Sequence, residues 1–202
     1  MCIRDSVFAT GEIEMDLYRA TGVNPASIRF KLFNRDTALP LSDVLPMLEN
    51  MGLRVIDEIP LEIKTEEGRR IWIHDFGMVT RDVSDIDVDA IKDAFEETFR
   101  RVWRKEVEDD GFNGLVSFSG LTWRQVVVMR AYCRFLRQAG IPFSDHYMVE
   151  TLCGHARITR DLIDLFGEMF DPGRQGGKLK TGTLRRKINA ALDAVKNVDE
   201  DR

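Results

Sequence analysis

The sequence predicts an α+β protein, an antiparallel sheet unit followed by an all-α helical bundle. Two observations carry that expectation. Over roughly the first 80 residues, apolar side chains recur with the period of two expected of half-buried strands, broken by one helix. From Asp87 onward the period becomes helical and stays so. The break lies near residues 86–110, and the expected division is 1–110 for the sheet unit and 111–202 for the bundle.

The elements follow in order. Residues 1–11 carry no usable period and are expected to be irregular, a frayed or foreign start. Glu12 to Tyr18 and Ile28 to Phe33 read as strands; in the second, Ile28, Phe30 and Leu32 alternate with Arg29, Lys31 and Phe33. In "LPLSDVLPMLENMGLRVIDEIPLEI", Asp43 is the expected N-cap, which places Pro46 in the first turn, where its missing N–H costs nothing. Val44, Leu48 and Met51 then share a face, and Gly52 is the left-handed stop. Leu53 to Ile59 reads as a strand, with Pro60 marking its end or an edge position. A polar turn, "KTEEGRR", joins it to a strand over Ile71–Met78, giving a hairpin and the order β-α-β-β.

The helical part begins with Val88, Ile91, Phe95, Phe99 and Val102 on one face, capped by Asp87 and continuing to Val107. "EDDGFNG" interrupts it. Thr122 and Gln125 then form a capping box, and Leu121 with Val126 a hydrophobic staple. The helix they open, running to Gly140, is apolar around most of its circumference and should be the buried centre of the bundle, with Val126, Met129, Cys133 and Leu136 on one stripe. Leu136→Ala should therefore cost more than Thr122→Ala. Ser144 starts a further helix. Ile158, Leu162, Leu165 and Met169 mark another, and Leu184, Ile188, Ala191 and Val195 the last. No internal repeat is evident.

Composition bounds the function. The 202 residues are 44% hydrophobic and 31% charged, ordinary for a globular protein. A net charge of −5 argues against general nucleic-acid binding, which needs a basic surface to release counterions. Cys2, Cys133 and Cys153 are too few and scattered for a disulfide framework. No signal peptide is visible, and the longest strong apolar run, Val126 to Met129, is far below the ~20 residues of a membrane helix. The expected location is the cytoplasm.

Each candidate for chemistry has a plainer explanation. "DPGRQGGKLKTGT" lacks the first glycine and the final Ser or Thr of a phosphate-binding loop and follows a helix rather than a strand; it reads as a connector. Around it Arg174, Lys178, Lys180, Arg185, Arg186 and Lys187 face almost no nearby acid in the sequence, as a solvated basic face or an anion site would. His146, Glu150, Cys153 and His155 cluster without a zinc spacing. His74 and Asp75 are adjacent in a strand and should point to opposite faces, so they do not form a base with its orienting carboxylate. No Gly-rich dinucleotide fingerprint follows a strand.

"LPLSDVLPMLENMGLRVIDE" with "IWIHDFGM", then "FNGLVSFSGLTWRQVVVMRAYCRFLRQAG" and "LIDLFGEMFDP", resemble in collinear order the large bacterial NAD-specific glutamate dehydrogenases over about residues 12–195. The resemblance implies a segment upstream of the catalytic region, an ACT-like β-α-β-β unit and helical motifs. It implies no catalytic, cofactor-binding or metal-binding residue here, NAD for the parent enzyme, the catalytic domain of the same parent chain as partner, and a homo-oligomer. ACT modules that bind amino acids usually carry glycine between the first strand and first helix; the loop "NRDTALPLSD", Asn34–Asp43, has none, which argues against close backbone approach by a ligand. The functional expectation is regulation or scaffolding. The alternatives are an amino-acid-sensing ACT-like module and a basic-loop module for nucleic acid.

Overall fold

The computed structural model describes residues 12–20, 28–65, 68–80, 86–173 and 178–195, with only the backbone of Lys178 and Leu179. The expected irregular start, Cys2, Arg174 and the middle of the "KTEEGRR" turn lie outside these. The chain forms two compact units, Met1–Val127 and Val128–Arg202.

In the first unit β1 (Glu14–Arg19), β2 (Ile28–Arg35), β3 (Leu53–Lys64) and β4 (Arg70–Thr80) form one antiparallel sheet in the order β1-β2-β4-β3. Helix α1 (Leu41–Asn50) links β2 to β3, and α2 (Val88–Trp103) follows β4. Since β2 and β3 both run antiparallel to the β4 between them, β2-α1-β3 is a split β-α-β unit. Likewise β1 and β4 are parallel across β2, with α2 packed on β1. A second split unit, β4-α2-β1, would close if a strand followed α2; the chain places that strand first instead. This is the expected α+β unit with an antiparallel sheet.

Direct cross-strand partners share a face. Ile28, Phe30 and Leu32 oppose Met78, Phe76 and His74, and these side chains make the core face. Phe30 meets Phe95 and Phe99 of α2 edge-on, with ring centroids 5.3 and 5.0 Å apart. The Asp87 carboxylate accepts from the Ala90 N–H, the cap expected from sequence. The helix stops four residues earlier than its pattern suggests. The N–H groups of Lys105 and Glu106 turn back to the carbonyls of Val102 and Arg101 at 2.9 Å, a Schellman closure with Lys105 at φ 58°.

Two expectations for α1 need correction. Pro40, at φ −64° and ψ 124°, is the N-cap, three residues ahead of Asp43, with no side-chain cap. Asp43 lies in the first turn, where its charge suits the positive helix end. Pro46 consequently sits inside the helix, where it removes one backbone bond. The stop is as expected: Gly52 has φ 83°, and a β-carbon there would lie 2.4 Å from the Phe118 ring. Phe118 belongs to α3 (Gly114–Ser119), a short helix with no distinct sequence signal. It follows a 3-10 turn at Gly111–Asn113 and is tied to α1 by the Ser117 hydroxyl donating to the Met51 carbonyl at 2.7 Å. Strand β3 continues through Pro60 to Lys64 because it is an edge strand, where a missing N–H is tolerated.

Helix α4 spans Trp123–Gln138. Its start matches the capping box in part, the Gln125 side chain accepting from the Thr122 N–H at 2.8 Å; Leu121 and Val126 are both buried. In the second unit lie the rest of α4, then α5 (Asp145–Gly154), α6 (Ala156–Phe170) and α7 (Lys178–Asp193). The expectation of an all-round buried α4 is overturned. Met129, Arg130 and Cys133 are buried, but Leu136 is 42% exposed and Phe135 63%. On α6 the expected stripe is also displaced. Thr159, Asp161 and Ile163 are the buried positions, because the Thr159 hydroxyl donates to the Leu152 carbonyl and Asp161 pairs with Lys187. The closing stripe of α7 is as expected at Ile188, which is buried.

Candidate functional site

Strand alternation separates the chemistry of the sheet into two sites. Asp75 and His74 do point to opposite faces, as expected. On the outer face Asp16, Tyr18, Arg29, Lys31, Asp75 and Asp57 line up across all four strands. The Arg29 guanidinium donates to Asp75 at 3.0 Å and to Asp57 at 2.9 Å. The Tyr18 hydroxyl donates to the other Asp75 oxygen at 3.0 Å. Lys31 lies over the Tyr18 ring, 4.5 Å from its centroid. Partial burial pulls the Arg29 pKa down, but hydrogen bonds and charge from Asp75 and Asp57 outweigh it, and the net direction is up. Gly77 makes the bridge to Asp57 possible, since a β-carbon there would lie 2.5 Å from the Asp57 carboxylate and 2.8 Å from Arg29. At the β1 edge, Lys92 of α2 pairs with Asp16, and Glu96 accepts from the Leu17 N–H at 2.9 Å. Burial pushes the Glu96 carboxyl above the ordinary range, against the pull of the Leu17 N–H and Lys92.

The core-face site is His74. Its ring is 3% exposed and stacks between Trp72 and Phe76. Nε2 accepts from the Leu39 N–H at 3.0 Å, so the proton of the neutral ring sits on Nδ1, which faces the Glu58 carboxylate at 2.8 Å. A base with an orienting carboxylate is thus present, with Glu58 in the role sequence adjacency offered to Asp75. Its lone pair, however, is engaged by backbone. The arrangement anchors the loop before α1 rather than activating a nucleophile. Finding Glu58 requires the β3–β4 register and the bulge between Val55 and Asp57, neither legible in a single strand.

The anchored loop is Asn34–Asp43. Asp36 adopts φ 65°, the conformation that glycine would supply, and its carboxylate accepts from Arg35 Nε at 3.0 Å. The Asn34 amide donates to the Thr37 carbonyl at 2.8 Å. The turn is therefore made without glycine, and it carries a side chain where a ligand would meet bare backbone.

In the helical unit the other candidates separate. His146 and Glu150 pair at 3.2 Å on the exposed face of α5. Among the described residues no group of three or more His, Cys, Asp or Glu is placed to hold a metal ion. Cys133 is buried, and desolvation first, then the charge of Asp145, raises its pKa and keeps it a thiol. The basic set does have an acid partner, contrary to its sequence neighbourhood: Lys187 Nζ donates to Asp161 at 2.6 Å, 26 residues away. Arg186 turns back on the Gly182 carbonyl and Arg185 on the Met169 sulfur. No helix among the described residues is long and apolar enough to cross a membrane.

Two family models match the chain in succession. Residues 12–91 match the family described as glutamate dehydrogenase, ACT3 domain, and residues 107–172 match glutamate dehydrogenase, helical motif 3. The chain is similar to the NAD-specific glutamate dehydrogenase of Halomonas elongata, 37% identical over 189 residues, covering 94% of this chain and 12% of the relative. The Pseudomonas aeruginosa protein of that name is 36% identical over 192 residues, again 12% of its length. That of Mycobacterium tuberculosis is 36% identical over 169 residues, 80% of this chain and 10% of the relative. The chain thus spans about an eighth of the length of the curated relatives it matches.

Proposed function

The chain belongs to the NAD-specific glutamate dehydrogenase family, and from that premise we propose that it is a non-catalytic scaffolding and regulatory segment lying upstream of a catalytic domain in a cytoplasmic parent enzyme. The parent would oxidise L-glutamate with NAD and water to 2-oxoglutarate, ammonium and NADH. Its partners would be the catalytic domain of the same chain and further copies of the parent in a homo-oligomer. We take 1–110 and 111–202 as its two sequence modules.

The observation that carries this reading is how the charged groups are used. Arg29, Asp75 and Asp57 are bound to one another, and His74 is closed between Leu39 and Glu58. Such groups hold a frame. Catalytic acids and bases instead need a free proton-transfer position within reach of substrate. The purified 202-residue chain, given glutamate and NAD, should form no NADH; robust turnover overturns the proposal.

The second reading is amino-acid sensing at the Asn34–Asp43 loop, whose Asp36 adopts the left-handed backbone that glycine adopts readily. Calorimetric titration with a panel of amino acids separates the two. Saturable heat with one amino acid, abolished by rebuilding the loop, would favour sensing.

A further inference from the structure

The two edges of the sheet are finished differently. At β1 the Leu17 N–H is taken up by the Glu96 carboxylate at 2.9 Å, and Lys92 of α2 pairs with Asp16 beside it. At the other edge lies β3, where Pro60–Lys64 is exposed throughout. The turn after β3 fixes which main-chain groups face outward there. The Thr65 N–H donates to the Arg69 carbonyl at 2.9 Å, so Thr65 and Arg69 are a hydrogen-bonded pair. Pairs alternate along an antiparallel ladder, so Ile63, Leu61 and Ile59 bond to Ile71, Ile73 and Asp75 of β4. The N–H and C=O groups of Glu58, Glu62 and Lys64 then point away from the sheet, as does the Pro60 carbonyl. Pro60 sits where its nitrogen faces outward and no bond to β4 is lost. The side chains of Ile59, Leu61 and Ile63 form a stripe on the sheet face away from the helices, 48%, 50% and 42% exposed, beside buried Ile71 and Ile73.

An open row of N–H and C=O groups is matched by another extended strand. The sequence of β3 specifies which one, because it is complementary to itself in a single register. A two-fold axis makes residue i meet j and j meet i. Centring that axis on Glu58 or Glu62 sets a carboxylate against its own copy. Centring it on Pro60 sets Glu58 against Glu62, and on Ile59 it sets Asp57 against Leu61. Centred on Leu61, the axis opposes Leu61 to Leu61, Ile59 to Ile63, Glu58 to Lys64 and Pro60 to Glu62. No like charges meet, and the aliphatic stripe is continued by its own copy. Glu58 and Lys64 exchange both main-chain bonds, and the Glu62 N–H reaches the Pro60 carbonyl. The Glu62 carbonyl, facing the proline nitrogen, stays with water. Glu58 and Lys64 already have side-chain partners in His74 and Glu62, so the ladder and the stripe carry the contact. We propose that β3 pairs antiparallel with β3 of a second copy about Leu61, joining two four-stranded sheets into one. The proposal rests on the homo-oligomer in the reading above and names its surface.

The test is disulfide trapping in the full-length parent enzyme, with bonds located by peptide mapping and assembly read by sedimentation. Leu61 and its copy form a non-hydrogen-bonded pair with Cα atoms about 4.5 Å apart, within reach of a disulfide. Under mild oxidation Leu61→Cys should bond to its own copy at least about tenfold faster than Ile56→Cys, which lies off the axis although it is 59% exposed. Ile59→Cys alone should stay slow, and Ile59→Cys combined with Ile63→Cys should be fast; this second pair tests the register should Leu61→Cys not fold. A Leu61→Cys enzyme that remains oligomeric and bonds no faster than Ile56→Cys overturns the proposal and leaves the homo-oligomer standing. Fast self-bonding of Ile59→Cys overturns this register. A monomeric parent sinks the homo-oligomer and the pairing together.

Discussion

The two units bury their apolar residues very differently. In the sheet unit Phe30, Phe76, Phe95, Phe99 and Phe112 are essentially fully enclosed, with Leu17, Leu48 and Met78 beside them. Among the described residues of the helical unit, the buried apolar side chains are Met129, Cys133, Met148, Ile163 and Ile188, while Phe135, Phe143 and Phe170 face outward. At ~25 cal/mol per Å² of apolar surface removed from water, a large aromatic contributes only when it is covered. The sheet unit therefore holds its stability in its own core. The helical unit leaves more of its large apolar side chains in water.

Substitutions can break this contrast. The largest effect belongs to Phe30→Ala, which empties the space shared with Phe95 and Phe99; it should cost about 3–5 kcal/mol, measured by urea melts followed through the sheet. Gly52→Ala comes next, about 2–4 kcal/mol. It combines the left-handed conformation with a clash against Phe118, and a shift below 1 kcal/mol would mean that α3 moves aside easily.

A third comparison crosses α4. Thr122→Ala, at the packed end, should cost up to about 1 kcal/mol. Leu136→Ala, at the exposed end, should cost less than about 0.5 kcal/mol. This reverses the ranking that hydrophobic spacing suggests.

The smallest effect is electrostatic. Burial raises the folded-state pKa of Glu96 above its unfolded value, so the fold favours the neutral carboxyl. Its contribution is full below the ordinary glutamate value near ~4.3 and is lost as pH rises through the raised one. Glu96→Gln cannot ionise and can still accept from the Leu17 N–H. Its stability relative to the unsubstituted chain should improve between pH 4 and pH 7; urea midpoints at both pH values decide the sign.

Legibility in the sequence followed the same division. The sheet unit was readable because each local signal coincides with a tertiary role. Ile28, Phe30 and Leu32 alternate and are the core face, Asp87 caps where its side chain suggests, and Gly52 stops α1. Where the reading slipped there, backbone closure decided: Pro40 set the start of α1 and Lys105 ended α2. In the helical unit, periodicity marked the helices but not which face would be covered. Apolar spacing reports what a residue is suited to contact, and among the described residues Leu136 stays 42% exposed. The Glu58–His74 pair was invisible for a different reason. It depends on a bulge and a register, which belong to two strands jointly.

The placement of β1 ahead of β2 also bears on synthesis. All four strands are complete once Thr80 has been added, whereas α2, which covers Phe30, ends at Trp103. At about 5–20 residues per second, the remaining stretch takes about 1–5 s to make. During that interval a nascent sheet can assemble with its phenylalanine face bare. A fold of the same strand order that ended on this edge strand would have its helix ready before the sheet closed. This chain instead emerges with its most aggregation-prone surface first and its lid last, so the seconds between Thr80 and Trp103 are when a chaperone holding apolar surface would matter most.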